Sequence, residues 1–275
     1  MTAIYVILIV AAVLVLLYFL MIMPRLTRQQ DWKQFPKVYY AHRGLHDNHT
    51  EAPENSMAAF KKAVAAGYGI ELDVQLSKDG QVMVFHDTYL ERMTGMPGKC
   101  GDYTAEELSA MRLAGTEETI PTFRDVLALV HGRVPLLVEL KGESLDTAVC
   151  APTAALLRGY SGKFIVESFN PCLLGWFARH EPKMIRGLLY TNVTKQNGLS
   201  PISLMLGAML LNRMARPQFL ACDGRFYKRP APWLFMHLYR TPVWVWTLSS
   251  NAQQLEWREK GMRSIYEGFL PRTRS

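Results

Sequence analysis

Two neighbouring runs, Gly69-Ile70-Glu71-Leu72-Asp73-Val74 and Val82-Met83-Val84-Phe85-His86-Asp87, decide how the chain is read. Each is a short β-type run, and each carries its polar residues near its C-terminal end. Side chains alternate along a strand, so Glu71 and Asp73 share one face. The same pattern recurs outward in both directions. Val38–His42 runs into His42-Arg43-Gly44, and Pro135–Leu140 carries Glu139 and leads into Lys141. Further runs at Lys163–Glu167, Ile185–Leu189, Phe219–Cys222 and Val243–Leu248 bring the expected strands to eight. Helical segments separate them. Ser56–Ala66 opens on a capping serine and stops at Gly67, Thr104–Met111 opens Thr-Ala-Glu-Glu, and Thr122–Val130 follows Pro121. Alternation over roughly 240 residues predicts an α/β fold of the TIM (β/α)8 barrel type. A doubly wound open sheet is the competitor, because alternation alone does not demonstrate closure. Residues 88–117, richer in Gly, Thr and charge, read as a small insertion after strand three.

The N-terminus is different in kind. Ala3 to Met23 is apolar throughout. As a helix, 21 residues reach about 31 Å, close to the ~30 Å hydrocarbon core of a bilayer. Tyr5 and Tyr18 lie toward its two ends, where aromatic rings favour the interface. A cleavable signal peptide would carry a basic start, a shorter apolar run and a small-residue cleavage site; this run ends Phe-Leu-Met-Ile-Met-Pro. The reading is therefore a transmembrane anchor (1–23), a polar linker (24–37) and a barrel (38–275). Arg25, Arg28, Lys33 and Lys37 flank only the C-terminal end of the run, which places the single-pass protein's following domain in the cytoplasm. A second apolar stretch, Pro201–Met214, is too short to span; it reads as a barrel helix or as a face resting on the membrane.

A net charge of +7 suits anionic membranes or phosphorylated substrates, and with no nucleic-acid motif and no long basic run, nucleic acid is not expected. Cys100, Cys150, Cys172 and Cys222 lack metal-site spacing and are too few for a disulfide framework at this length. The oligomeric state is left open.

If the barrel closes, the polar strand ends converge on its C-terminal rim, where such folds do chemistry. Glu71, Asp73 and Glu139 brought together would repel, so they call for a cation; all-oxygen ligands suit one hard divalent ion, Ca²⁺ or Mg²⁺. Such an ion attracts phosphate. Arg43 and Lys141 could neutralise the remaining phosphate oxygens, Arg as a fork and Lys as a point charge. His42 and His86 supply an acid and a base near neutral pH. Together these parts describe phosphate-ester cleavage. His46, His49, Asp87, Glu167 and Asp223 could share the rim, but read more simply as loop or cap residues. A non-catalytic phospholipid-headgroup binder on a retired barrel is the reading from another class; the intact set of acids and histidines argues against it.

With these residues in place, the sequence closely resembles the glycerophosphodiester phosphodiesterase family. The match runs through His42-Arg43-Gly44, Pro53-Glu54-Asn55-Ser56, Gly69–Val74, Ser77-Lys78-Asp79-Gly80, Val84-Phe85-His86-Asp87, Leu90–Gly95 and Glu139-Leu140-Lys141, with Ser168-Phe169 and Trp246-Thr247 later. The resemblance implies a metal-dependent TIM barrel that hydrolyses glycerophosphodiesters to glycerol 3-phosphate and an alcohol. It implies His42 and His86 as general acid and base, Glu71, Asp73 and Glu139 as metal ligands, and Arg43 and Lys141 on the phosphate. It also implies attack by the neighbouring glycerol hydroxyl through a cyclic phosphate. Glu54 belongs to the signature loop and, with Trp246, is a candidate for the substrate pocket. The closing stretch departs from the family pattern: Gly261-Met262-Arg263-Ser264-Ile265-Tyr266-Glu267-Gly268 replaces its usual Asp- and Thr-bearing form. Lysophospholipids, which keep one acyl chain, are the alternative substrates.

Overall fold

The computed structural model describes residues 2–25, 35, 38–142 and 145–271. Among these, nine strands follow in order: β1 (Tyr40–Ala41), β2 (Gly69–Leu76), β3 (Val82–Val84), β4 (Leu136–Leu140), β5 (Phe164–Ser168), β6 (Arg186–Tyr190), β7 (Phe219–Asp223), β8 (Val243–Leu248) and β9 (Arg263–Tyr266). Eight of them form a parallel ring, in the order β1-β2-β4-β5-β6-β7-β8-β9. The ring closes because β1 pairs with β2 on one side and with β9 on the other. The TIM barrel is therefore present and the open sheet is excluded.

Two strand assignments need correction. The expected third barrel strand, Val82–His86, is a short strand running antiparallel to β2 and lies outside the ring. Its connection explains why: Ser77 N–H donates to Gln81 O at 3.0 Å around Gly80 at φ 77°, a tight turn with no room for a crossover helix. The eighth place in the ring is taken by Arg263–Tyr266, which opens on an arginine and a serine and carries little apolar signal.

Helices α1 (Thr2–Ile22), α2 (Met57–Ala65), α3 (Glu91–Thr94), α4 (Ala105–Ser109), α5 (Phe123–Val130), α6 (Cys150–Arg158), α7 (Pro171–His180), α8 (Val193–Asn197), α9 (Pro201–Gly207), α10 (Asn212–Ala215), α11 (Pro230–His237) and α12 (Asn251–Glu259) complete the chain. Their starts follow from capping. Ser56, Thr104, Thr122, Asn170, Ser200 and Ser250 each accept a backbone N–H of their own first turn. The apolar 201–214 stretch breaks into α9 and α10. Inside the ring, Tyr40, Leu137, Ile165, Leu189, Phe219, Trp244 and Ile265 form one apolar cluster. The large rings fit because glycines face them: a Cβ on Gly187 would stand 2.2 Å from the Phe219 ring, and one on Gly69 2.8 Å from Tyr40. The 88–117 segment carries its own small core, in which Phe85, Leu90, Met93, Cys100, Leu108 and Leu113 pack together. Of the expected linker, Arg28, Lys33 and Lys37 lie outside the described residues.

Candidate active site

The barrel floor is apolar and its mouth is charged, because inward positions change character along each strand. Leu137 gives way to Glu139 on β4 and Ile165 to Glu167 on β5; on β2, Glu71 and Asp73 both point in. Register places Asp73, Glu139 and Glu167 side by side on β2, β4 and β5. Carboxylate oxygens of Glu71, Asp73 and Glu139 lie within 4.8 Å of one another, and all three residues are buried.

His42 and Arg43 leave the end of β1 in a sharp turn. His42 N–H donates to Tyr266 O on β9 at 2.9 Å, and Arg43 takes φ 53° and Gly44 φ 84°. Gly44 is required there: its conformation is left-handed, and a Cβ would meet Ala59 Cβ at 2.9 Å. The turn directs the Arg43 backbone N–H onto Glu71 Oε2 at 2.9 Å and its Nη1 onto Glu54 Oε1 at 2.8 Å. Asn55, also left-handed at φ 57°, donates through Nδ2 to Asp73 Oδ2 at 2.9 Å. Lys141 Nζ bonds Glu139 Oε1 at 2.7 Å and stands 3.0 Å from Asp73 Oδ1.

His86 reaches the site from the hairpin rather than from a barrel strand. Phe85 N–H donates to Asp73 O at 3.0 Å, and the Gln75 amide clamps the carbonyls of Phe85 and Asp87 at 2.9 and 2.8 Å. Both histidines meet a carboxylate at Nδ1: His42 with Glu267 at 2.6 Å and His86 with Asp87 at 2.7 Å. This fixes each ring and leaves Nε2 available for proton transfer. Arg92 ties the His86 side together, donating to Asp87 Oδ2 and to both oxygens of Glu54. A cleft of about 550 Å³ opens beside His86, Arg92 and Lys141. Trp246, half-buried at the end of β8, sits edge-on to Phe169 at 5.7 Å and donates its indole N–H to Ala221 O.

The electrostatics divide the acids. Burial, reinforced by Asp73 and Glu139, holds Glu71 well above the usual carboxylate range. Burial also raises Glu139, against the pull of Lys141. Burial acts on Asp73 in the same sense, but Lys141, His86 and Arg43 outweigh it and hold the carboxyl far below its ordinary value. Burial pushes Glu54 up as well; bonds from Arg92, the charge of Arg43 and the Asn48 amide bring it down to about 2. His42 is lowered, because burial outweighs the bond to Glu267. Glu167, buried beside the other acids, is raised well above the ordinary range, and its Oε2 has no hydrogen-bond partner. The oxygen-only trio fits a hard divalent cation. Asp73 Oδ1 is buried and, despite its ion-pair distance to Lys141, accepts no hydrogen bond, and two of the three acids are held toward the protonated form for want of positive charge.

All seven residues expected to carry the chemistry thus come together at one end of the barrel, with Glu54 beneath Arg43 and Trp246 at the wall. Asp87, read as a loop residue, in fact orients His86. His46 stands 3.8 Å from Glu267, Asp223 pairs with Arg225, and His49 lies in an exposed loop. Asn55, Arg92 and Glu267 were not singled out from sequence as site residues. A His-Asp pair and a Glu-Asn pair inside otherwise ordinary loops were the available signals for Asp87 and Asn55. Nothing local marks Glu267, 225 residues from His42.

Comparison with known proteins gives the same picture. The chain is 36% identical over 163 residues to a glycerophosphodiester phosphodiesterase of Caldanaerobacter subterraneus subsp. tengcongensis, covering 54% of this chain and 65% of that protein. It is 44% identical over 109 residues to a glycerophosphodiester phosphodiesterase of Bacillus altitudinis, covering 37% and 43%. The chain thus matches between about two fifths and two thirds of the length of these curated relatives. Its fold is that of a phosphodiesterase from Oleispira antarctica solved in complex with the product sn-glycerol-3-phosphate, at TM-score 0.69 and 24% identity over 86% of this chain and 94% of the other. The model of the glycerophosphoryl diester phosphodiesterase family matches residues 42–265, which include the seven converging side chains and Asp87 and stop two residues short of Glu267; the chain belongs to that family.

Proposed function

We propose that the protein hydrolyses glycerophosphodiesters to glycerol 3-phosphate and an alcohol, with a divalent cation, Ca²⁺ or Mg²⁺, held by Glu71, Asp73 and Glu139. One observation carries the reading: three buried carboxylates within 4.8 Å of one another are flanked by two histidines, each held at Nδ1 by a carboxylate. The bound cation would supply Lewis acidity and charge neutralisation at the phosphate. Lys141 would hold a phosphate oxygen as a point charge and Arg43 would present its guanidinium fork, held in place by Glu54. One histidine Nε2 takes the proton of the attacking glycerol hydroxyl, and the other donates a proton to the departing alkoxide oxygen, leaving a cyclic phosphate. Water, deprotonated by the second histidine, then attacks that phosphorus. The ring P–O bond breaks to give glycerol 3-phosphate, its hydroxyl oxygen taking the proton back from the first. Their Nδ1 carboxylates stabilise each ring while it carries the proton. Trp246 and Phe169 offer an apolar wall to the organic part of the substrate.

Helix α1 is long and apolar enough to span a bilayer. It would anchor the barrel at a membrane surface, with the basic flank on the cytoplasmic side. A lysophospholipase D reading, with one acyl chain on the substrate, is favoured by this anchor and by the Trp246–Phe169 wall. A turnover screen of the purified full-length protein separates the two. Glycerophosphocholine and lysophosphatidylcholine would each be offered with Ca²⁺, Mg²⁺ or EDTA. Release of glycerol 3-phosphate that EDTA abolishes supports the hydrolase. Release of lysophosphatidic acid in its place assigns the second reading. Undiminished turnover in EDTA removes the cation from the account.

A further inference from the structure

Helix α1 does more than leave the barrel; its path has a direction. Only its last turns pack against the rest of the chain. Thr2–Leu17 are exposed throughout, whereas Tyr18 and Phe19 pack on the main core and Ile22 is buried. Tyr18 lies within electrostatic reach of Tyr190, at the C-terminal end of β6, and Tyr190 Oη donates to Gly207 O at the end of α9. Phe19 O accepts from Tyr239 Oη at 2.7 Å, and Ile22 O accepts from Asn212 Nδ2 at 3.4 Å. Arg25, three residues on, donates its backbone N–H to Pro217 O at 3.0 Å and its guanidinium to Pro182 O. Pro182 and Pro217 precede β6 and β7, so they mark the N-terminal face of the barrel. The helix therefore runs antiparallel to the strands, down the wall beside β6 and β7. Its exposed portion, about 24 Å long, projects past the C-terminal face, which is the face carrying the active site.

Length makes this consequential. A bilayer core needs about 20 helical residues, and α1 has 21. Tyr18 to Ile22 are already seated on the barrel wall, so the rim past which the exposed Thr2–Leu17 project must sit at the hydrocarbon–headgroup boundary, the depth at which interfacial helices bury their apolar face. The surface there has the matching chemistry. Leu199, Ile202 and Leu204, in the connection following β6, are 82%, 53% and 54% exposed. Positions 190–211 and 224–234, which follow β6 and β7 on this face, contain no aspartate or glutamate and four lysines or arginines, Lys195, Arg225, Lys228 and Arg229, of which Arg225 pairs with Asp223. That charge suits an anionic leaflet.

We propose that the active-site mouth faces the bilayer from which α1 emerges, with the α8–α9 connection lying in the lipid interface, so that the site draws substrate from the membrane. This rests on the reading of α1 as a span. The class of substrate it selects is a phosphodiester whose glycerol keeps an acyl chain in the leaflet. Phe169 extends the Trp246 wall toward this side: it lines, with Val193, Leu206 and Met209, an apolar cavity of about 110 Å³ under α9.

The test uses the full-length protein in vesicles of phosphatidylcholine and phosphatidylglycerol, with an environment-sensitive fluorophore carried at position 202 or, on the opposite face, at position 161. Quenching by doxyl-labelled lipid at 202 and not at 161 is the expected result. Quenching at 161, or at neither position while the protein resists alkaline extraction, overturns the orientation and leaves the anchor and the hydrolase standing. Shielding at 202 together with a dimer in detergent assigns the patch to a second copy and also overturns it. Protein released by alkaline extraction removes the anchor itself. In the functional arm, the triple variant Leu199→Ser, Ile202→Ser, Leu204→Ser is expected to lose roughly tenfold in turnover of vesicle-borne lysophosphatidylcholine, about 1.4 kcal/mol, with soluble glycerophosphocholine unaffected. Equal turnover of both substrates by variant and parent overturns the proposal.

Discussion

At the scale of the residue, the site is a set of charges that stabilise one another only when complete. Glu71 and Glu139 are held toward protonation by burial and by the charge of Asp73. A cation must displace those protons to bind, so its affinity should fall as pH drops through the raised range of the two acids. Calorimetric Ca²⁺ titrations at two pH values check this, and a pH-independent affinity would contradict it. Glu54 behaves in the opposite sense. Its folded value of about 2 lies below the ordinary 4.5, so its contribution is present above 4.5 and is lost as pH falls from there toward 2. Glu54→Gln should therefore cost about 1–3 kcal/mol at neutral pH, with the gap to the parent closing in acid. Denaturant melts at pH 7 and pH 3 measure it. Six of the seven catalytic candidates were legible in the sequence because barrel strand ends point at one place, and His86, which arrives on the hairpin, because its residue type was unusual there. Their supports were not. Glu267 and Arg92 act through contacts 225 and 38 residues away, which no local pattern encodes.

At the scale of the element, capping residues made the helices readable: Ser56, Thr104 and Thr122 were named as starts and each accepts an N–H of its first turn. Strand partners were less readable, because hydropathy alternation carries no sign for parallel against antiparallel. The hairpin turn at Ser77–Gln81 and the polar opening of Arg263–Tyr266 decided that question against the expected order. β3, folded back on β2, is the device that delivers His86 to the mouth. Strand β6 depends on a different local fit, Gly187 beneath the Phe219 ring. Gly187→Ala overpacks this contact and should destabilise the protein by about 1–3 kcal/mol. Phe219→Leu in the same chain should recover part of the loss. A double-mutant cycle of unfolding free energies with no coupling would contradict the packing account.

At the scale of the whole molecule, an apolar helix, a closed barrel and a charged mouth are arranged along one direction. The apolar run was legible from composition alone, and its docking between the β6 and β7 connections was not, since that depends on Tyr239, Asn212 and Pro217 meeting it. The proposed topology, read from the basic flank, has the barrel in the cytoplasm; it predicts that a fluorescent-protein reporter fused after Ser275 is active and that alkaline phosphatase fused there is silent. The reverse pattern would invert the topology and leave the chemistry untouched. That chemistry is the central claim, and hydrolysis of glycerophosphocholine followed by phosphorus NMR tests it most directly. With a divalent cation, the parent protein should produce the glycerol 3-phosphate resonance. His42→Ala and His86→Ala should each slow its appearance by about 10²–10⁴-fold while circular dichroism stays that of the parent. Parental turnover in either variant would contradict the account.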